Sequence, residues 1–158
     1  MWLAGRAHGL DKATIRERTA ELLDLMELVD THGKLVCDYS RGMRKKLALA
    51  VALLAAPRLL FLDEPFEGLD AVSSRQLKDL LRSFVSGGGT VFLTSHILEI
   101  VERLSDHIAV IDHGRLIAEG PLAELSSGRG TGKTLEELFL ELVQTDDESK
   151  PQLEWLAR

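Results

Sequence analysis

Apolar positions along this chain fall into two patterns: helical spacing, and short unbroken runs. Ile15, Leu22, Met26 and Val29 recur at intervals that share one helical face, which predicts an amphipathic helix over residues 11–29. Asp11 or Thr14 can cap its start, and Thr14 with Glu17 fits a capping box. A second helix is predicted from Gly42 to Ala55. It stops short of Pro57, since the residue before a proline disfavours helical backbone. Leu59 to Leu62 is apolar at every position and reads as a strand buried on both faces of a parallel sheet. Residues 72–85 form the next helix, Gly87 to Gly89 end it, and Val91 to Ser95 is a second strand. Strand, helix and strand make a βαβ unit whose strands point the same way.

Beyond it, Ile97 to Leu104 is a short helix. Ile108 to Ile111 and Leu116 to Ala118 flank Asp112-His113-Gly114-Arg115, a hairpin turn with Gly where positive φ is tolerated. Leu122 to Leu125 is a helical turn, residues 126–133 a Ser/Gly-rich loop, and Thr134 to Val143 a helix. A polar, acidic tail follows from Thr145, and no internal repeat is visible.

The chemistry gathers where the first strand ends. Asp63 and Glu64 follow its last apolar residue, and open α/β sheets bind ligands beyond the carboxyl ends of their strands. There one carboxylate can hold Mg²⁺ through water, and its neighbour can polarise an attacking water. The βαβ topology brings His96, just after the second strand, to the same sheet edge. Ser40 is a good N-cap type for the helix it precedes. A helix start offers free N–H groups and partial positive charge, an anion site, and Gly42 allows close approach to the backbone.

Composition narrows the field. At 158 residues and 45% hydrophobic content the chain is the size of one ordinary domain. Its longest wholly apolar stretch, Leu47 to Ala56, falls well below the roughly 20 residues of a membrane-spanning helix. One cysteine, Cys37, leaves no intramolecular disulfide and reads as a small buried hydrophobe. Net charge is −6. Up to Pro57 there are nine basic and seven acidic side chains; afterwards there are ten and eighteen. That acidic half argues against nonspecific nucleic-acid binding, which needs Lys and Arg to neutralise phosphates. Arg41, Arg44, Lys45 and Lys46 form the one tight basic cluster, either a solvated helix start or an electropositive rim beside a phosphate site.

Four motifs in register resemble the nucleotide-binding subunit of ABC transporters (ATP-binding cassettes). Asp38 to Leu47, with Tyr39-Ser40-Arg41-Gly42-Met43, resembles the signature motif. Leu59 to Glu64 is similar to the strand that carries the Mg²⁺ acid, Glu67-Gly68-Leu69-Asp70 to the D-loop, and Thr94-Ser95-His96 to the switch histidine. The likeness runs roughly from Gly9 to Val143. It implies an α/β fold: a P-loop NTPase-like parallel sheet core with a helical subdomain, lacking the N-terminal β-rich and P-loop region. The segments it implies are 1–45, the helical subdomain ending in the signature loop; 46–125, a partial ATPase core; and 126–158, a linker, helix and tail.

The resemblance also implies roles: Asp63 as the Mg²⁺ acid, Glu64 as catalytic base, and His96 as γ-phosphate sensor. Ser40 and Gly42 would contact ATP held by a second cassette in a head-to-tail dimer, and Asp70 would bridge the two. Cofactors would be ATP and Mg²⁺, and partners a transmembrane transporter subunit and that second cassette, with no nucleic acid. The chain would sit in the cytoplasm, peripheral on the inner face of the membrane through its partner. The Tyr-Ser-Arg-Gly-Met form resembles cassettes of drug, antibiotic and polysaccharide exporters. ATP hydrolysis would drive export in the intact family member, and the isolated chain would be inactive. Two other readings are a non-hydrolysing module that lends its signature loop to an intact cassette, and a soluble ABC ATPase of DNA repair or translation. Gly128 to Thr134 looks like a P-loop, but Ser127 stands where its first glycine belongs, and Thr134 with Glu137 fits a capping box. The stretch is therefore read as a linker and Lys133 as dispensable. His8, His32, His107 and His113 have no comparable context.

Overall fold

The computed structural model describes residues 1–31, 33–127 and 134–143. Contacts divide the chain into two compact units, Met1–Ser95 and His96–Arg158. This is a different cut from the three functional segments expected.

In the first unit, helix α1 spans Trp2–Ala7 and α2 spans Lys12–Leu25. Asp11 is the N-cap of α2: its carboxylate accepts from the N–H groups of Ala13 and Thr14 and from the Thr14 hydroxyl. Thr14 thus lies inside the helix rather than at its cap. Ile15 and Met26 are buried as predicted, but Val29 is exposed, because the helix ends at Leu25 and the chain turns at Glu27, φ 55°. Leu28 supplies the buried side chain instead.

Helix α3 covers Arg41–Leu53 and leads into β1, Leu59–Asp63. Helix α4, Ala71–Ser86, crosses to β2, Thr90–Thr94. The strands pair in parallel, Leu59 with Thr90 through Asp63 with Thr94, so the βαβ reading holds. The expectation of burial on both faces does not. Leu60 is 4% exposed, but Phe61 is 72% and its register partner Phe92 56%, with ring centroids 5.6 Å apart. Alternating side chains divide the run between a packed face and a bare one.

In the second unit, α5 (Leu98–Leu104) precedes the antiparallel pair β3 (His107–Asp112) and β4 (Arg115–Pro121). His113 and Gly114 turn between them with φ 46° and 76°, the positive angles that tight hairpins require. Helix α6 covers Leu122–Ser127, so residues 126 and 127 are helical rather than loop. Helix α7 is Leu135–Val143. Thr134 and Glu137 form the predicted capping box: the Thr134 N–H donates to Glu137 Oε2 at 2.8 Å, and the Glu137 N–H to Thr134 Oγ1 at 3.2 Å. Ile108, Leu135 and Leu138 form this unit's core. Residues 128–133, with Lys133, lie outside the described residues, as do His32 and the acidic tail. Among the described residues no helix is long and apolar enough to cross a membrane.

Candidate functional site

Ser40 caps α3 in extended backbone, φ −61° and ψ 165°, and its Oγ accepts from the Met43 N–H at 3.2 Å. The residue before it is anchored: Tyr39 OH and Thr31 Oγ1 share a 2.6 Å hydrogen bond, and Thr31 Oγ1 also donates to the Leu28 carbonyl. The first N–H groups of a helix have no intrahelical partner, so this end is suited to an anion. A Cβ at Gly42 would make ordinary contact with Leu69 Cδ2 at 3.8 Å and Ser40 Oγ at 4.0 Å, without a clash.

The acidic turn is held from two sides. The Thr94 hydroxyl donates to Asp63 Oδ1 in a short hydrogen bond and accepts from the Glu64 N–H at 3.2 Å. The Glu64 N–H also reaches the Thr94 carbonyl at 3.2 Å. From the other side, Lys45 Nζ donates to the carbonyls of Glu64 and Glu67, each at 2.7 Å. Phe66, 4% exposed, anchors the turn from within. Glu64 itself sits at φ 43°, a left-handed conformation that costs a non-glycine residue about 1–2 kcal/mol.

Asp70 caps α4: its carboxylate accepts from the Ser73 N–H at 2.8 Å and the Ser73 hydroxyl at 3.0 Å. Those bonds, the backbone one foremost, hold it below the usual carboxylate range. Gln76 Nε2 donates to the Glu27 carboxylate at 2.6 Å and Lys46 pairs with it at 3.1 Å, and the two, the Gln76 bond foremost, lower its pKa. So Lys45 and Lys46 are committed inside the unit, while Arg41 and Arg44 are exposed. A cleft of ≈ 690 Å³ is lined by Lys45, Lys46, Asp63, Leu69 and Gln76 among mostly apolar neighbours.

The first unit therefore carries Ser40, Gly42, Asp63, Glu64 and Asp70. His96 is exposed and opens the second unit, beyond the end of β2. Sequence reasoning named Lys45 only within a basic cluster and Thr94 only within the switch motif, and missed their bonds to the acidic turn. The strand-end position of both Asp63 and Thr94 was the available signal for the Thr94 bond; for Lys45, the basic cluster gave charge but not its partner, 19 residues away. Among the described residues no group of three or more His, Cys, Asp or Glu could hold a metal. Asp63 offers hard oxygen, which suits Mg²⁺, an ion often bound through one or two carboxylates plus water and phosphate oxygens.

Residues 8–102 match the family model described as "AAA domain, putative AbiEii toxin, Type IV TA system". The chain is 47% identical over 129 residues to the daunorubicin/doxorubicin resistance ATP-binding protein DrrA of Streptomyces peucetius, covering 82% of this chain and 39% of that protein. The chain belongs to the AAA-domain family, and the relatives it matches are ABC transporter ATP-binding proteins. The chain is also 45% identical over 121 residues to the Nod factor export ATP-binding protein I of Cupriavidus metallidurans, covering 77% of this chain and 40% of that protein. A solved structure described as an ATP binding subunit of an ABC transporter superposes with TM-score 0.82 at 33% identity, over 89% of this chain and 59% of that one. The fold is that of a P-loop NTPase-like cassette. The chain spans about two fifths of the length of the curated relatives it matches.

Proposed function

We propose that this chain is part of an ABC transporter ATP-binding subunit that couples ATP binding and hydrolysis to export by a membrane partner, from the cytoplasmic face of the membrane. The observation that carries the proposal is one unit holding both a Ser40-capped helix start, with Gly42 in its first turn, and two carboxylates at the end of a parallel strand. ATP with Mg²⁺ supplies the transferable phosphoryl group and the counter-charge for its oxygens. Asp63 would hold the metal, its oxygen aimed by the Thr94 hydroxyl. Glu64 would take up a proton from the attacking water, and His96 would contact the terminal phosphate. Ser40 and the backbone at Gly42 would face nucleotide gripped by a second cassette. Names of the relatives, drug resistance and Nod factor export, point to export of a bulky organic solute.

The test mixes the purified chain with an intact, hydrolysis-dead ABC cassette loaded with ATP, and measures nucleotide stoichiometry in the recovered complex. One ATP trapped per heterodimer is expected, and Ser40→Arg should abolish it by filling the anion site. No ATP-dependent complex, or trapping that survives Ser40→Arg, would overturn the proposal. Retention on nucleic acid with no binding to purified transporter membrane subunits would favour a repair or translation ATPase.

A further inference from the structure

We propose that Lys45 is a positioning residue that fixes the backbone of Glu64 and ties the Ser40-capped helix to the acidic turn. An ammonium group has three N–H donors. Here two of its bonds converge on carbonyls of a single turn, Glu64 O and Glu67 O, both at 2.7 Å. The Glu67 carboxylate stands at 3.8 Å as well. The bonds go to the main chain of the acid rather than to a side chain that could swing away. That matters because Glu64 is held at φ 43°, where L side chains rarely rest, and Pro65 follows it. The residue before a proline is steered toward extended backbone, so the turn needs an external hold to keep Glu64 left-handed. Phe66 supplies a hydrophobic hold and Thr94 bonds the Glu64 N–H; Lys45 alone among the described bonds joins the acid's carbonyl to α3.

Lys45 lies five residues along α3 from Ser40, a rise of about 7.5 Å on a rigid helix. A displacement of the Ser40 end by a bound anion would therefore be carried to the carbonyl of Glu64 through little more than one helical turn. The inference rests on the proposed role of Glu64 but needs no nucleotide to test. Lys46, its neighbour of equal charge, bonds Glu27 instead and serves as the control.

The experiment compares the full chain with Lys45→Met, Lys45→Arg and Lys46→Met by NMR and amide hydrogen exchange, without nucleotide. In Lys45→Met the left-handed chemical-shift signature of Glu64 should be lost. The Glu67 N–H donates to the Glu64 carbonyl and the Leu69 N–H to the Phe66 carbonyl, each at 3.3 Å; exchange at both should rise at least about tenfold, since Lys45→Met removes two charge-assisted hydrogen bonds from the turn. Lys45→Arg should restore both, and Lys46→Met should leave both as in the parent. A Lys45→Met chain that keeps the Glu64 signature, or a Lys46→Met chain that loses it equally, would overturn the inference. The trapping experiment can fail without touching this result, so the two readings fall separately.

Discussion

Replacing Thr94 with valine removes one hydroxyl and little else. Valine keeps the β-branched shape that suits a strand. The loss is the Oγ1 bond to Asp63 and one of two contacts made by the Glu64 N–H, which still reaches the Thr94 carbonyl at 3.2 Å. No backbone donor is orphaned. A bond to a charged group contributes about 1.5–3 kcal/mol when sheltered, but Asp63 and Thr94 are exposed and water substitutes in part, so about 1 kcal/mol is expected. With a urea slope of about 1–3 kcal/mol/M, the midpoint should fall by about 0.3–1 M. Urea titration at neutral pH, followed by far-UV circular dichroism, reads this directly. Thr94→Ser should stay at the parent midpoint. Asp63→Ala combined with Thr94→Val should cost less than the sum of the two, because both delete the same bond. Additive costs, or a serine variant as weak as the valine one, would refute the pairing and with it the claim that Thr94 aims Asp63.

Three further outcomes are expected. Ser40→Ala should destabilise α3 by about 1 kcal/mol and Ser40→Gly by only a few tenths, read as shifts in the same urea midpoint. Asp70 has a depressed pKa in the fold, so its contribution is present above its unfolded value near 3.8 and is lost as pH falls through the lower folded value; Asp70→Asn should flatten that part of an acid titration. The 158-residue chain alone should hydrolyse no ATP above background, because its one P-loop-like stretch, Gly128 to Thr134, has Ser127 where the first glycine belongs; Mg²⁺-dependent phosphate release by the purified chain would contradict this.

Features that depend on neighbours in sequence were legible. The Ser40 cap, the Thr134–Glu137 capping box and the Asp112–Arg115 turn each rest on contacts within three or four residues, so residue type and spacing carry the signal. Helix α1 was not, since six residues from Trp2 to Ala7 show no side-chain cap and too little length for a period. The bare face of β1 was invisible for a different reason. Leu59 to Leu62 is apolar throughout, and periodicity cannot say what covers a face; only the packing that buries Leu60 and leaves Phe61 open decides it. In the site, Ser40, Gly42, Asp63 and Glu64 were named from motif and strand-end position. Lys45 and Thr94 act across 19 and 31 residues of sequence, through distances no local pattern encodes.

Two helices begin beside the acidic turn, and their caps differ in charge. Asp70 is anionic and its pKa is lowered by Ser73, so it stays ionised at neutral pH and offsets the partial positive charge at the start of α4. Ser40 satisfies the Met43 N–H without adding any charge, and no acidic residue lies in the first turn of α3. Arg41 and Arg44, exposed in that turn region, add positive potential. The two helix starts are thus electrostatically unlike: α4 is closed to an incoming phosphate by its own cap, and α3 is left open. Exchanging the cap chemistry, with Ser40→Asp, would keep an acceptor for the helix and place a negative charge where the anion should dock. Helix stability should hold in that variant while ATP trapping with a partner cassette is lost. Stability and trapping lost together would mean that Ser40 is only a cap.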